Sequence, residues 1–301
     1  MSRKQITIVT DGMVELAAEY IEKYGIVVVP RQVKIGKKSL KSDRNTTLRE
    51  LNKEIRSSKI SAKFPEPPLQ IFLDLYRELH TRRRSAISIH LSESIDGACH
   101  QARVAQGLLS PDVDVLVFES HVLDVGTSFL VRTAARFAGK QGATTQQTLA
   151  LLQRVQDAVQ VVLITGSPHN LPGSPSLKGE QRIKTGIPFM KTLLSLDSFR
   201  GTFRVEGQGT DPLKLLSGKY HLFRNIDGPR DVLIKCRRRE KSIGQFQSLL
   251  SRQLGNTMNS FNVIRAGVEA SYLPADAIEI IFLPTGAEIA KIEHSIIKWG
   301  G

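Results

Sequence analysis

The sequence has 301 residues, of which 41% are hydrophobic and 24% charged, with a formal net charge of +13. That length is long for one compact core and natural for two lobes. No run of about 18 apolar residues occurs, which excludes a helical membrane span, and MSRKQITIVTDG passes straight into a strand without the apolar stretch of a signal peptide.

In chain order, Ile6–Val9 reads as a short buried strand, followed by Thr10-Asp11-Gly12 and an amphipathic helix from Val14 to Lys23. Gly25 stops that helix and Ile26–Val29 supplies the next strand. Thr46-Thr47 opens a helix, Pro65, Pro67 and Pro68 break the chain, and Leu69–Leu79 is helical again. A strand at Ser85–Leu91, a helix at Ile95–Leu108 and a strand at Val113–Phe118 follow. Ser120 is placed to cap a helix running to Lys140, ended by Gly142, and Thr144–Ala158 completes a helical pair before a strand at Val161–Ile164. Near-continuous apolar strands separated by helices imply a parallel sheet covered on both faces.

From about residue 165 the texture changes to a Gly-, Pro- and Ser-rich loop. Beyond it, Phe203–Glu206 and Tyr220–Phe223 are strand candidates that could pair with one another, and Val232–Lys235 is a third. Glu240–Leu254 is an amphipathic helix, and strands at Phe261–Ile264 and Ile278–Phe282 precede a closing segment to Trp299. The fold class is therefore α/β with two lobes: an N-terminal parallel-sheet domain over residues 1–165 and a C-terminal α+β domain over 166–301.

Two cysteines, Cys99 and Cys236, lie far apart without metal-ligand spacing, as free thiols of a reducing cytoplasm do. The positive charge favours phosphates, anionic lipid headgroups or an acidic partner. It gathers at Arg82-Arg83-Arg84 and at Lys235 with Arg237-Arg238-Arg239, and neither knot is interleaved with aromatics. A single-strand nucleic-acid platform needs stacking side chains between its cations, so these knots read as solvated faces. Lys235, Arg237 and Arg238 are candidates for docking an acidic partner.

In an open α/β sheet, ligands bind at the carboxyl ends of the strands. Three such loops here share one chemistry: Thr10-Asp11-Gly12, Ser92-Glu93-Ser94-Ile95-Asp96-Gly97 and Glu119-Ser120-His121. Each places a hydroxyl beside a helix start, where unpaired amides favour an anion. An enzyme needs a base, a nucleophile and a positioned acceptor. His90 alternates with Ile89 and Leu91 as a packed histidine, His100 and His121 have no evident acid partner, and no hydrolase elbow, dinucleotide fingerprint or Walker lysine is present. No catalytic residue, metal or cofactor is expected.

The residues Ile-Val-Thr-Asp near the N-terminus, Pro30, Ser-Ile-His-Leu-Ser followed by Gly97, Glu119-Ser120 with Gly126, Ala134-Ala135 and Gly142 together resemble the DegV family. Arg182-Ile183, Lys191, Lys235 with Arg237, and Thr285-Gly286 extend the resemblance over nearly the whole chain. It implies a non-catalytic, cytoplasmic, bacterial protein that holds a long-chain fatty acid, its acyl chain in an apolar tunnel of the second lobe. It further implies a carboxylate met by polar groups near the first lobe's loops, and presentation to a kinase subunit that phosphorylates the acid. Carried over residue by residue, the ligand-binding positions are Asp11, Phe64, Ser92, Glu93, Asp96, Gly97, Ser120, Arg182, Thr285 and Gly286.

Several of these positions depart from the family pattern. The family's Thr hydroxyl position holds Phe64, its second serine is Glu93, its C-terminal histidine position is Pro284, and the first loop's Ser is Gly12. Glu93 either faces solvent or turns toward the head, where a second carboxylate repels by about 4 kcal/mol at an effective dielectric near 20 unless Lys63 or Arg103 pairs with it. In the second lobe the 172–179 loop is short, 207–229 is inserted, and a strand directly after Leu254 is missing. A drift toward another amphiphile, a member that has lost lipid binding, and a nucleic-acid or acidic-protein module on the basic surface are the alternatives.

Overall fold

The computed structural model describes residues 5–43, 62–171, 183, 187–219, 228–236, 243–265, 273, 274 and 276–299. The chain divides into two compact units. One holds the described residues up to Gln156 and from Ser295 onward, and the other those between Asp157 and His294. The division falls ahead of the boundary expected after residue 165, because the strand that ends there joins the second unit's sheet.

In the first unit, β1 (Ile6–Asp11), β2 (Val27–Val29), β6 (Ser85–His90) and β7 (Val115–Glu119) form a parallel sheet in the order β2-β1-β6-β7. The expected strands are present. β1 and β6 are flanked on both sides and buried on both faces, which is why they read as unbroken apolar runs. On one face α2 (Leu69–Thr81) and α3 (Ala98–Gly107) pack Phe72, Tyr76, Leu79, Ala98, Ala102 and Ala105 against Val9, Ala86 and Val115. Elsewhere in the unit α4 (Asp124–Ala138) packs against β1 and β6, and α5 (Thr145–Ala158) follows it.

Local readings need correction at the helix starts. α1 covers Ala18–Tyr24, not Val14–Lys23, because Met13 and Val14 turn back onto Asp11 instead of entering a helix. Gly25 ends α1 with φ +60, as its left-handed role requires. α3 begins at Ala98, beyond the turn that Ser92 makes with the amides of Ile95 and Asp96. α4 begins at Asp124 without a side-chain cap, so Ser120 does not cap it, and Gly139 rather than Gly142 closes it. The helix expected at Thr46-Thr47 lies outside the described residues.

A second, three-stranded antiparallel sheet, β4-β3-β5, was not expected. It comprises β3 (Arg31–Ile35), β4 (Lys38–Ser42) and β5 (Ala62–Lys63). Gly36, at φ +57, makes the tight turn between β3 and β4.

The second unit carries a six-stranded sheet in the order β10-β9-β8-β13-β11-β12. Its strands are β8 (Gln160–Thr165), β9 (Lys191–Asp197), β10 (Thr202–Gly209), β11 (Arg230–Cys236), β12 (Met258–Arg265) and β13 (Ile278–Pro284). Every pairing is antiparallel except β11 with β12. That parallel pair needs a crossover, supplied by α7 (Ile243–Leu254), which with α6 (Pro212–Ser217) covers one face of the sheet. β10 pairs with the unexpected β9; the candidate partner Tyr220–Phe223 lies outside the described residues. A strand does follow Leu254 closely, since β12 starts at Met258. α8 (Gly286–Trp299) closes the chain. Among the described residues no helix is long and apolar enough to cross a membrane.

Candidate functional site

Several of the candidate positions converge at the carboxyl edge of the parallel sheet. His90 stands opposite Glu119 in the β6–β7 register, and the β1–β6 register carried two residues past Val9 and Ser88 sets Asp11 beside His90. Three polar side chains thus line up across adjacent strand ends, and two hydrogen-bond systems grow from them.

The inner system is fully enclosed. His90 Nδ1 lies 2.7 Å from Asp11 Oδ2, and its Nε2 lies 2.7 Å from Ser88 Oγ. The ring meets Phe72 edge-on at 5.4 Å. This connectivity is that of a nucleophile, base and acid, but Ser88, His90 and Asp11 are each 0% exposed, so no substrate reaches them as they stand. Arg31 reaches in from β3. Its Nη1 donates to Asp96 Oδ1 at 2.9 Å and lies 3.9 Å from Asp11 Oδ1, while its Nη2 donates to Asp96 Oδ2 and to the Phe64 carbonyl at 3.1 Å. Burial pushes the Asp11 carboxyl upward, but the His90 hydrogen bond and the charges of His90 and Arg31 outweigh it and hold the group below its ordinary range.

The outer system centres on Glu119. Its Oε1 accepts from Ser92 Oγ at 3.0 Å and from the Glu93 amide at 2.9 Å. Its Oε2 accepts from Arg103 Nη2 at 2.8 Å and lies 3.3 Å from His121 Nε2. Arg103 Nη1 donates to Glu93 Oε1 at 2.6 Å, so Glu93 is paired, with Arg103 rather than Lys63. Burial raises the Glu119 carboxyl, yet hydrogen bonds from His121, the Glu93 amide and Ser92 bring it down to about 2. His121 therefore has an acid partner, contrary to expectation.

Several ligand candidates are already committed. Asp11, Ser92 and Ser120 are 0% exposed. Ser120 Oγ pairs with Thr127 Oγ1 at 2.8 Å, a contact inside the protein. Asp11 does not sit at a helix start. Asp96, one residue ahead of the N-cap Gly97, accepts from the Ala98 amide at 2.9 Å while holding Arg31. Phe64 packs with Val33 and Ile35 on the small sheet. Thr285, in the second unit, caps α8: its Oγ1 accepts from the Glu288 amide at 3.4 Å in a Thr-x-x-Glu box, with Gly286 the first helical residue. Lys235 is 1% exposed, which removes it from any docking face. Arg182, Arg237 and Arg238 lie outside the described residues.

The position of Gly97 is taken by the protein itself, since a Cβ there would stand 2.0 Å from Glu66 Oε1. At Gly12 a Cβ would stand 2.6 Å from the Ser42 carbonyl oxygen and 2.9 Å from Arg31 Cβ. Glu66 is the end of a flexible chain and Ser42 is backbone. Gly12→Ala is therefore expected to cost about 1–2 kcal/mol through overpacking, while Gly97→Ala stays near wild type. Urea unfolding midpoints of the two variants test this ordering.

Arg31, Glu66 and Glu119 were not read as ligand or network residues. Arg31 carried a signal: in Arg31-Gln32-Val33-Lys34-Ile35, the two-residue period puts Arg31 on the buried face with Val33 and Ile35.

In the second unit, a groove of about 530 Å³ runs between α6 and α7, lined by Leu213, Lys214, Ser217, Gln245, Leu249 and Arg252 among others.

A parallel-sheet unit with a polar strand-end rim, joined to a unit on a mixed six-stranded sheet, defines a two-domain α/β protein. The profile described as "Uncharacterised protein, DegV family" matches residues 5–197. The chain belongs to the DegV family. It is 28% identical over 166 residues to the DegV domain-containing protein YejH of Lactococcus lactis, a match spanning 55% of this chain and 58% of that protein. Among solved structures, a DegV family protein from Thermus thermophilus, titled for its fatty acid binding, aligns at TM-score 0.72 and 18% identity. That alignment covers 93% of this chain and 100% of the other. DegV of Bacillus subtilis, titled a fatty acid binding protein, aligns at TM-score 0.70 and 20% identity, covering 94% of this chain and 100% of that one.

Proposed function

We propose that this protein is a non-catalytic, cytoplasmic carrier of a long-chain amphiphile of the fatty-acid type, held for a kinase partner that acts on its head group. The observation that carries this reading is the correspondence of fold over the full length of DegV proteins whose titles name fatty acid binding. The first unit carries polar groups at its strand ends. Within the second unit, the α6–α7 groove has a volume in the range that takes small ligands. Each methylene removed from water contributes about 0.8 kcal/mol, so a long tail dominates affinity. Enclosure of Ser88, His90 and Asp11 supports a role in holding structure instead of turning over substrate. Cys99 and Cys236 are both buried and form no disulfide, which agrees with a reducing compartment.

Denaturing the purified protein in organic solvent and analysing the extract by mass spectrometry tests the proposal. The expected result is one long-chain amphiphile in near-stoichiometric amount. An empty extract, together with retention on DNA that weakens steeply with salt, would favour the nucleic-acid module instead.

A further inference from the structure

A cavity of about 400 Å³ lies at the amino end of the first unit's parallel sheet, away from the strand-end networks. β2 pairs with β1 only from Val9 onward, so beside Ile6, Thr7 and Ile8 that edge of β1 has no neighbouring strand among the described residues. The cavity lies against this edge and is walled by the ends of α1 and α4 at Tyr24, Ala135 and Ala138. Lys23 and Arg84 line it, and no Asp or Glu among the described residues does. The arginine knot is therefore not a uniform solvated face. Arg82 is exposed and pairs with Glu78 at 2.7 Å. Arg83, at φ +54, makes the left-handed turn that closes α2, its amide and that of Arg84 returning to His80 and Leu79. Arg84, beyond the turn, is half-buried in the cavity wall, and its Nη1 donates to Thr7 Oγ1 at 3.4 Å. Lys23 Nζ stands 5.3 Å from the centroid of the Tyr24 ring. Among the described residues neither cation has a carboxylate within ion-pair distance. Carbonyls at helix ends oppose an anion, but here the Gly25 amide returns to Glu22 and Ile21, and the Gly139 amide to Ala135 and Phe137.

We infer that this cavity takes a phosphate monoester, its dianion held by the Arg84 guanidinium and the Lys23 ammonium and its organic part against Tyr24 and Ala138. Like charges lining one cavity repel, and an anion taken between them removes that repulsion. A guanidinium presents a planar fork matched to phosphate oxygens, and an ammonium adds a compact point charge. A dianion with three terminal oxygens uses both, where a single carboxylate is satisfied by one. The volume is that of a small-ligand site. The inference does not rest on the carrier reading, since the cavity lies wholly within the first unit.

The test is calorimetric titration of the full-length protein with glycerol 3-phosphate, alongside sedimentation with phosphatidylcholine vesicles that contain or lack phosphatidic acid. Glycerol 3-phosphate is expected to bind with a dissociation constant below about 1 mM, and glycerol to give no heat. Lys23→Gln and Arg84→Gln should each weaken binding at least about tenfold. Arg82→Gln, which removes the same charge outside the cavity, should change it little. Sedimentation that requires phosphatidic acid and is lost in the same two variants assigns the phosphate to a lipid head group. Binding of glycerol 3-phosphate without such sedimentation assigns it to a soluble metabolite. Weakening by Arg82→Gln equal to that by Arg84→Gln reduces the effect to net surface charge and overturns the inference. So does a Lys23→Gln variant that is less stable to urea yet binds as wild type, because Lys23 then serves only the end of α1. Neither heat from glycerol 3-phosphate nor sedimentation with phosphatidic acid overturns it as well, and leaves the carrier reading standing.

Discussion

An Arg31→Ala variant is expected to lose about 3–5 kcal/mol of stability, the cost of leaving buried charge without its partner. Arg31 is 0% exposed, and its guanidinium is the cation that both Asp96 and Asp11 face. Removing it also frees the Phe64 carbonyl, so the attachment of β5's end to the rim loosens together with the ion pair. Chemical denaturation of the variant measures the loss. A cycle with Asp96→Asn separates the pair's own coupling from the general cost, since Asp96→Asn in the Arg31→Ala background should recover part of what was lost. An Arg31→Ala midpoint within experimental error of wild type would mean that solvent reaches these carboxylates.

The second large effect belongs to Glu119. Its folded-state pKa of about 2 lies below the ordinary 4.5. The stabilisation is fully present above about 4.5 and is lost as pH falls from there toward about 2, where the folded state must also take up the proton. Allowing for solvent around a partly open group, Glu119→Ala should cost about 2–3 kcal/mol near neutral pH. Near pH 2 the gap between variant and wild type should close. Urea midpoints collected across that range give both numbers, and a gap that stays constant with pH would assign the loss to packing. Asp11, also held low, keeps a residual acid sensitivity in the variant.

How far the molecule was legible in its sequence follows from where each residue's partners lie. β1, β6, β8 and β13 are buried on both faces, so their runs of Ile, Val and Leu announce them. The hairpin β3–β4 was hidden because its outward positions are Gln32, Lys34, Ser39 and Lys41, and a charged alternation of five residues resembles a loop. β9 was lost beneath its reading as a family remnant around Lys191, although Leu193 and Leu194 are both fully buried. At the rim, position in the fold was readable and occupancy was not. The three strand-end loops do converge. That Ser92, Ser120 and Asp11 spend their polar atoms inward depends on Glu119, Thr127, His90 and Arg31, which come from other segments and carry no local pattern that names their target. The departure at Glu93 and the carboxylate of Asp96 at the strand exit were visible, but their cations could be assigned only once α3 brought Arg103 round and β3 brought Arg31 in.

The buried ion pair also bears on how the chain acquires its shape. Asp11 and His90 are separated by 79 residues, Arg31 and Asp96 by 65. Contacts that distant require large loops to close before they return any energy. The β1–β6 ladder spans the same separation, Ile6 facing Ser85, so the closure that pairs these strands also brings Asp11 to His90.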